Sequence, residues 1–398
     1  MAVNLTNADN ALKSYYLDAV SEQLDNKVSP FLAQIKKTTD DVWGKDVKKL
    51  LIHGINGGIG AGSEDGNLPT ARGNKYAQLT STLKNLYGTI EISDKALRAS
   101  ENNSGAFVSL LNSEMDGLIK SSAFNFGRML FGNGSGKLSR LVHRADDHTV
   151  IADKIYNFIE GMRVDIRYNG EIVEGCEGLE VVYVNYADSQ LMLGGDALPA
   201  SFESNTAIYA HDSYNFEVTG LDAIFDENID TLYGLSKTTN PWMKAISASS
   251  NTISETVMQN MLDTIEMKSG SAPNIMITSF GVRREIINAF STNKRNIDTM
   301  ELAGGFKALS FNGIPIVADR FCPYGTIYFL NTNDFALHQL CDWQWLSGDD
   351  GKILRQVPGK PVYTATLVKY AELMCSRPFA QGKLSDILFV IIACFTAL

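Results

Sequence analysis

The sequence predicts an α+β fold with more than one folded unit, and three observations carry this. Apolar residues between Asn103 and Asn133 recur at helical spacing, short β-like runs fill 150 to 220, and the segment from about 246 to 360 alternates helix with strand. A chain of 398 residues, 44% hydrophobic and 20% charged, has the apolar material for a large core and the length for two or three units.

From Ala11 to about Leu51, short helical and extended patches follow one another without a long period and are broken at Ser29-Pro30. Such a stretch reads as an arm that leans on other structure. Residues 54 to 75 contain seven glycines, one proline and the charges Glu64, Asp65, Arg72 and Lys75. So little apolar surface cannot build a core, which makes this a long exposed loop. Leu86, Gly88, Ile90 and Ile92 then alternate with Tyr87, Thr89 and Glu91, the period of a half-buried strand. Loop and strand together read as one projecting hairpin.

Phe107, Leu110, Leu111, Met115, Leu118, Ile119, Ser122, Phe126, Met129 and Leu130 fall at steps that keep one helix face apolar. Ser104 suits the N-cap, and Gly132-Asn133-Gly134 ends the helix, giving a rod of roughly 40 Å. Runs such as Ile172-Val173, Leu179 to Val184 and Ala207 to Tyr209, separated by Gly and Asn turns, predict a small β insert. A helix over Thr252 to Met267, a strand at Ile275 to Ile277, a helix through Val282, Ile286, Ile287 and Phe290, and strands at Gly313 to Ala318 and Thr326 to Leu330 complete an α/β unit. Residues 362 to 387 return to an extended pattern, expected to rejoin the sheet beside the long helix.

The motifs that would carry chemistry fall short of their requirements. Gly132 to Lys137 lacks the Gly and the Ser or Thr of a phosphate loop, because Phe131 and Leu138 stand at those positions. The glycines of 54 to 62 miss dinucleotide-loop spacing, since Ser63 stands where the third glycine belongs. His143, Asp146, Asp147 and His148 invite a metal, but the cluster lies outside any helical HExxH and reads as a solvated linker. Asp349-Asp350-Gly351 lacks the alternating ligands and closing Glu of a calcium loop, and a hairpin turn between Trp345 and Ile353 is expected instead. Trp343 and Trp345 have no basic groove beside them for base stacking and read as packing residues. No GxSxG elbow or other nucleophile motif occurs, so no enzymatic activity, cofactor or metal is expected.

A formal net charge of -10 argues against a protein that grips DNA phosphates, though not against a wall that confines DNA. Cys176, Cys322, Cys341, Cys375 and Cys394 form no CxxC pair and are expected as free thiols in a reducing cytoplasm. No signal peptide or presequence pattern is evident at Met1 to Leu12. The apolar run Ile387 to Leu398 is shorter than the roughly 20 residues of a membrane span and is expected as a buried or interface tail, with no membrane partner.

Arm, loop and rod each bury little within one subunit and need neighbours, which identical copies can supply. The stretches Leu86 to Ser100 (LYGTIEISDKALRAS), Gly313 to Phe335 (GIPIVADRFCPYGTIYFLNTNDF) and Tyr370 to Leu384 (YAELMCSRPFAQGKL), with the order of elements around them, resemble major capsid proteins of the Hong Kong 97 type (HK-97 fold) of tailed bacteriophages. The resemblance runs over nearly the whole chain. It implies an N-terminal arm at 1–53, an E-loop at 54–93, the spine helix and start of the peripheral domain at 94–144, and a β-rich insertion domain at 145–222. It further implies peripheral domain at 223–245, an axial domain at 246–360, and a peripheral return with C-terminal tail at 361–398.

The function so implied is a structural subunit that self-assembles through pentamers and hexamers into the icosahedral head of a virion enclosing double-stranded DNA. Assembly would occur in the host cytoplasm. A portal protein and, because no charged helical leader precedes the arm, a separate scaffolding protein are expected partners, with a decoration protein as a further one. Glu64, Asp65, Arg72 and Lys75 are expected to pair across subunits at the E-loop. Some relatives weld this loop to a neighbour through a Lys–Asn bond; Lys75 and Lys84 lie in or beside it, but no partner Asn or assisting Glu can be matched. The rivals are an encapsulin-type shell around a cargo enzyme, a metal-dependent enzyme using His143 to His148, and a phage tail or adhesin module.

Overall fold

The computed structural model describes residues 29–95, 104–292, 299–302, 306–348 and 351–389. Most of the arm, Asp349-Asp350 and the tail beyond 389 lie outside them, while Ser104, expected as the N-cap, is the first residue of the long helix. The long helix, Ser104–Met129, rests on a sheet whose centre is the strand Val362–Cys375. That strand pairs antiparallel with Lys84–Ser93 on one side and Phe335–Trp345 on the other. Lys36–Thr38 adds a parallel edge. Met115, Ile119, Phe126 and Met129 of the helix are buried, as the periodicity requires. The helix lies so close to the sheet that a Cβ added at Gly88 would sit 2.8 Å from Leu118 Cδ1. Of the segment 362 to 387 expected in this sheet, residues 362 to 375 rejoin it, whereas Gly382–Ser385 pairs instead with Ile246–Ser249 and Ile327–Leu330.

After the helix the chain forms a barrel. Strands Lys137–Arg144, Thr149–Ala152, Gln190–Leu193, Leu179–Asn185, Arg163–Tyr168 and Ala207–Ala210 are linked in a closed antiparallel ring, with Glu171–Ile172 as a side strand. Closure removes the open edges that would invite aggregation. The insert begins at Lys137, before the 145 expected, because Lys137–Arg144 supplies one of its staves. Gly220 brings the chain back beneath the helix end. A Cβ there would lie 2.4 to 2.6 Å from the carbonyl oxygens of Met129, Leu130 and Gly132, so only glycine fits.

The α/β unit has its own apolar core around Met258, Leu262, Ile265, Met276, Val282, Ile286 and Phe329. Its sheet runs Ile246–Ser249, Gly382–Ser385, Ile327–Leu330, Ile275–Thr278, Ile314–Ala318, Phe306–Phe311 and Thr299–Leu302. Helix Glu255–Ser269 starts at Ser254, whose Oγ accepts from Val257 N, and ends at Gly270 in the left-handed conformation (φ 68°). The other helix is Phe280–Thr292. The segment read as one unit over 246–360 does not stay in this sheet: Phe335–Trp345 pairs beneath the long helix, while Gly382–Ser385 crosses back. That pairing begins at Phe335↔Cys375 and carries register shifts between Gln339 and Cys341 and between Cys341 and Gln344.

Candidate functional site

The segment least covered by its own chain is a projection built on Asp46–His53 and Lys75–Thr82. These strands pair antiparallel from Asp46↔Thr82 to His53↔Lys75. One face is anchored: Val47 and Leu79 are fully buried, and the His53 ring stacks on Trp242 at 4.8 Å. The other face carries exposed Leu50, Ile52 and Tyr76. This corrects the predicted hairpin. Its legs are 46–53 and 75–82, whereas Lys84–Ser93 belongs to the sheet under the long helix. The doublets Lys48-Lys49 and Leu50-Leu51 blur the alternation of the first leg, so it read as arm.

Beyond His53 and Lys75 the chain continues as a finger, 54–74. Its two legs run side by side, since Cβ positions at Gly58 and Gly60 approach Arg72 N at 3.1 Å and Pro69 Cγ at 3.3 Å. The tip turns at Ser63 to Gly66, where Gly66 N donates to Ser63 O at 3.1 Å. Glu64 and Asp65 occupy that tip, Arg72 lies along Gly57 midway back, and Lys75 stands at the base opposite His53. All four are exposed, and among the described residues none has an ion-pair partner. Ile55, Ile59 and Leu68 are 90%, 89% and 90% exposed. Three bare aliphatics on one slim ribbon are the strongest signal of a contact made elsewhere.

The remaining constellations are structural. Asn133 Oδ1 accepts from Ser135 N at 3.1 Å, while Gly134 and Gly136 have φ of 85° and 77° and let residues 213 to 217 pack against them. His143 to His148 form a barrel hairpin: Ala145 N donates to Thr149 O at 2.8 Å, Asp146 Oδ1 accepts from His148 N at 2.8 Å, and Arg144 pairs with Asp147. Among the described residues no group of three or more His, Cys, Asp or Glu is placed to hold a metal. Trp343 and Trp345 are buried. Gly348 N donates to Lys352 O at 2.9 Å, and the expected calcium-loop acids Asp349 and Asp350 lie outside the described residues.

Below the projection lies a set of buried polar joints that sequence reading missed. Arg128, in the last turn of the long helix, makes a bidentate pair with Glu217 at 2.9 and 2.6 Å. Ser29 Oγ donates to Asp319 Oδ2 at 2.5 Å, pinning the arm's end to the α/β unit. Burial pushes Asp319 up to about 6 against that hydrogen bond. Glu372 accepts from Thr219 N at 2.9 Å, and burial pushes its carboxyl up to about 7. Partners 89, 290 and 153 positions apart leave no local pattern to read.

No family model matches the sequence, and no curated protein is similar to it in sequence. The fold is shared nonetheless. A chain of the cyanophage A-1(L) capsid asymmetric unit superposes with a TM-score of 0.54 at 12% identity, covering 93% of this chain and 92% of its own. The holo-SrpI encapsulin complex from Synechococcus elongatus PCC 7942 gives a TM-score of 0.47 at 9% identity over 94% and 98% of the two chains. The capsid of a native GTA particle gives 0.46 at 12% identity over 92% and 91%. By its likeness to the cyanophage capsid chain, this chain has an α+β capsid fold.

Proposed function

We propose that this chain is the major capsid protein of a tailed bacteriophage, a subunit that works by packing against copies of itself. The observation that carries this is the finger at 54–74, exposed at every position but Gly58, on a chain whose fold matches a cyanophage capsid chain over nearly its full length. In these terms the E-loop runs from Asp46 to Thr82, the spine helix is Ser104–Met129, and the barrel from Lys137 to Ala210 is the insertion domain. The sheet under the helix is the peripheral domain, and the sheet around Ile275–Thr278 is the axial domain that gathers at five- and six-fold axes.

Glu64, Asp65, Arg72 and Lys75 pair with neighbouring subunits at the rim. Each exposed pair is worth only about 0–1 kcal/mol, so cohesion comes from repetition. The formal charge of -10 suits a wall past which packaged double-stranded DNA slides. A portal protein, a separate scaffolding protein and a decoration protein are its partners, the virion is its place after assembly in the host cytoplasm, and it catalyses no reaction. A nuclease-protection assay on particles purified from the producing cells tests this. Protected double-stranded DNA is expected; particles holding a folded enzyme and no nucleic acid would instead make it an encapsulin-type shell.

A further inference from the structure

The apolar run that follows Asp386 has a prepared path on the α/β unit. Ile387 N donates to Gly325 O at 3.0 Å, and Leu388 N donates to Asn251 O at 3.0 Å. Two glycines clear this path: a Cβ on Gly325 would stand 2.8 Å from Ile387 O, and one on Gly281 would stand 2.3 Å from Phe389 Cδ2. Phe389 thereby lies against the start of helix Phe280–Thr292, its ring centroid 5.9 Å from that of Tyr324. Around this seat the surface stays apolar and uncovered. Phe280 and Tyr324 are exposed, and so is Tyr186, in the barrel turn after Leu179–Asn185. Tyr186 joins the patch through Arg320, whose Nη2 donates to its hydroxyl at 3.1 Å.

We infer that residues 390–398 of the same chain cover this patch, continuing from Phe389 over Tyr324 and Tyr186 and strapping the α/β unit to the barrel. Their sequence, VIIACFTAL, is apolar at every position but Thr396, so burial against aromatic rings is favoured over exposure to water. Position selects this occupant. The segment is tethered at Phe389, inside the patch, so its local concentration there exceeds that of any separate chain. Residues 390–398, fully extended, reach about 30 Å. Tyr186 lies only one arginine side chain away from the loop that carries Tyr324. A bilayer is the poorer match, because the run Ile387 to Leu398 is shorter than the roughly 20 residues of a membrane span. The contact lies within one chain and does not depend on the shell function.

The test is tyrosine iodination of the dilute, unassembled full-length chain, mapped by mass spectrometry, beside a full-length variant carrying Ile391→Asp and Phe395→Asp. The variant should label about tenfold faster at Tyr186 and Tyr324. Tyr76 on the stem and Tyr168 in the barrel, both exposed, should label alike in the two chains. Equal rates at Tyr186 and Tyr324 overturn the inference. So does protection that appears only on concentration or assembly, which makes another copy the occupant, or only with phosphatidylcholine vesicles, which makes it a lipid surface. Should the variant fail to fold, a benzophenone maleimide on Cys394 of a Cys341→Ser chain replaces it, the other cysteines being buried. Photo-crosslinks within one chain to the peptide bearing Tyr186 or Tyr324 are expected; crosslinks elsewhere, or between chains, overturn the inference.

Discussion

Glu372 shows how one buried group ties stability to pH. Its carboxyl is raised from 4.5 to about 7 by burial, and one of its oxygens has no partner among the described residues. The folded chain therefore holds this proton more tightly than the unfolded one. The associated stability is fully present below about 4.5 and is lost as pH rises through about 7. Glu372→Gln keeps an acceptor for Thr219 N and removes the ionisation, so it should raise the melting temperature at pH 8 by about 3 °C and leave it nearly unchanged at pH 4.5. Arg128 and Glu217, both 3% exposed, should behave as one unit. Arg128→Leu alone strands a buried carboxylate and should cost about 3–5 kcal/mol, whereas Arg128→Leu with Glu217→Leu should recover most of the loss in a denaturant-unfolding cycle. None of these pairs was legible beforehand, because a sequence shows charges and not which distant charge each one meets.

At the scale of elements, periodic segments declared themselves and paired segments did not. Met115, Ile119 and Phe126 mark the long helix by spacing alone, and Ser254 with Gly270 bracket another by their capping chemistry. Barrel closure is different: Leu179↔Val164 is a pairing between strands, and nothing in either strand names the other. The first leg of the projection was lost for a related reason, since Lys48 and Leu50 share an exposed face that binary patterning cannot mark as surface. The helix–sheet contact at Gly88 is tight enough to test. Gly88→Val should lower stability by about 1–3 kcal/mol, read by thermal unfolding, because its side chain meets Leu118 and Ser122. On the finger, Arg72→Glu should leave subunit melting unchanged and reduce the yield or stability of particles. Trypsin should cut at Arg72 or Lys75 in the free subunit first, and that cleavage should disappear on assembly.

At the scale of the whole molecule, the described residues build two apolar cores and a closed barrel, while Ile55, Ile59 and Leu68 of the finger and Leu50, Ile52 and Tyr76 of its stem are exposed. That division was partly legible: the glycine run at 54–75 announced a loop without a core, and Glu64, Asp65, Arg72 and Lys75 are exposed. Where those charges go is a property of the assembly. The most direct measurement is electron microscopy of the purified full-length chain over a range of concentration and ionic strength. Closed icosahedral shells, or rings of five and six subunits, are the predicted result. A chain that remains monomeric under every condition would contradict the claim that this protein works by packing against itself.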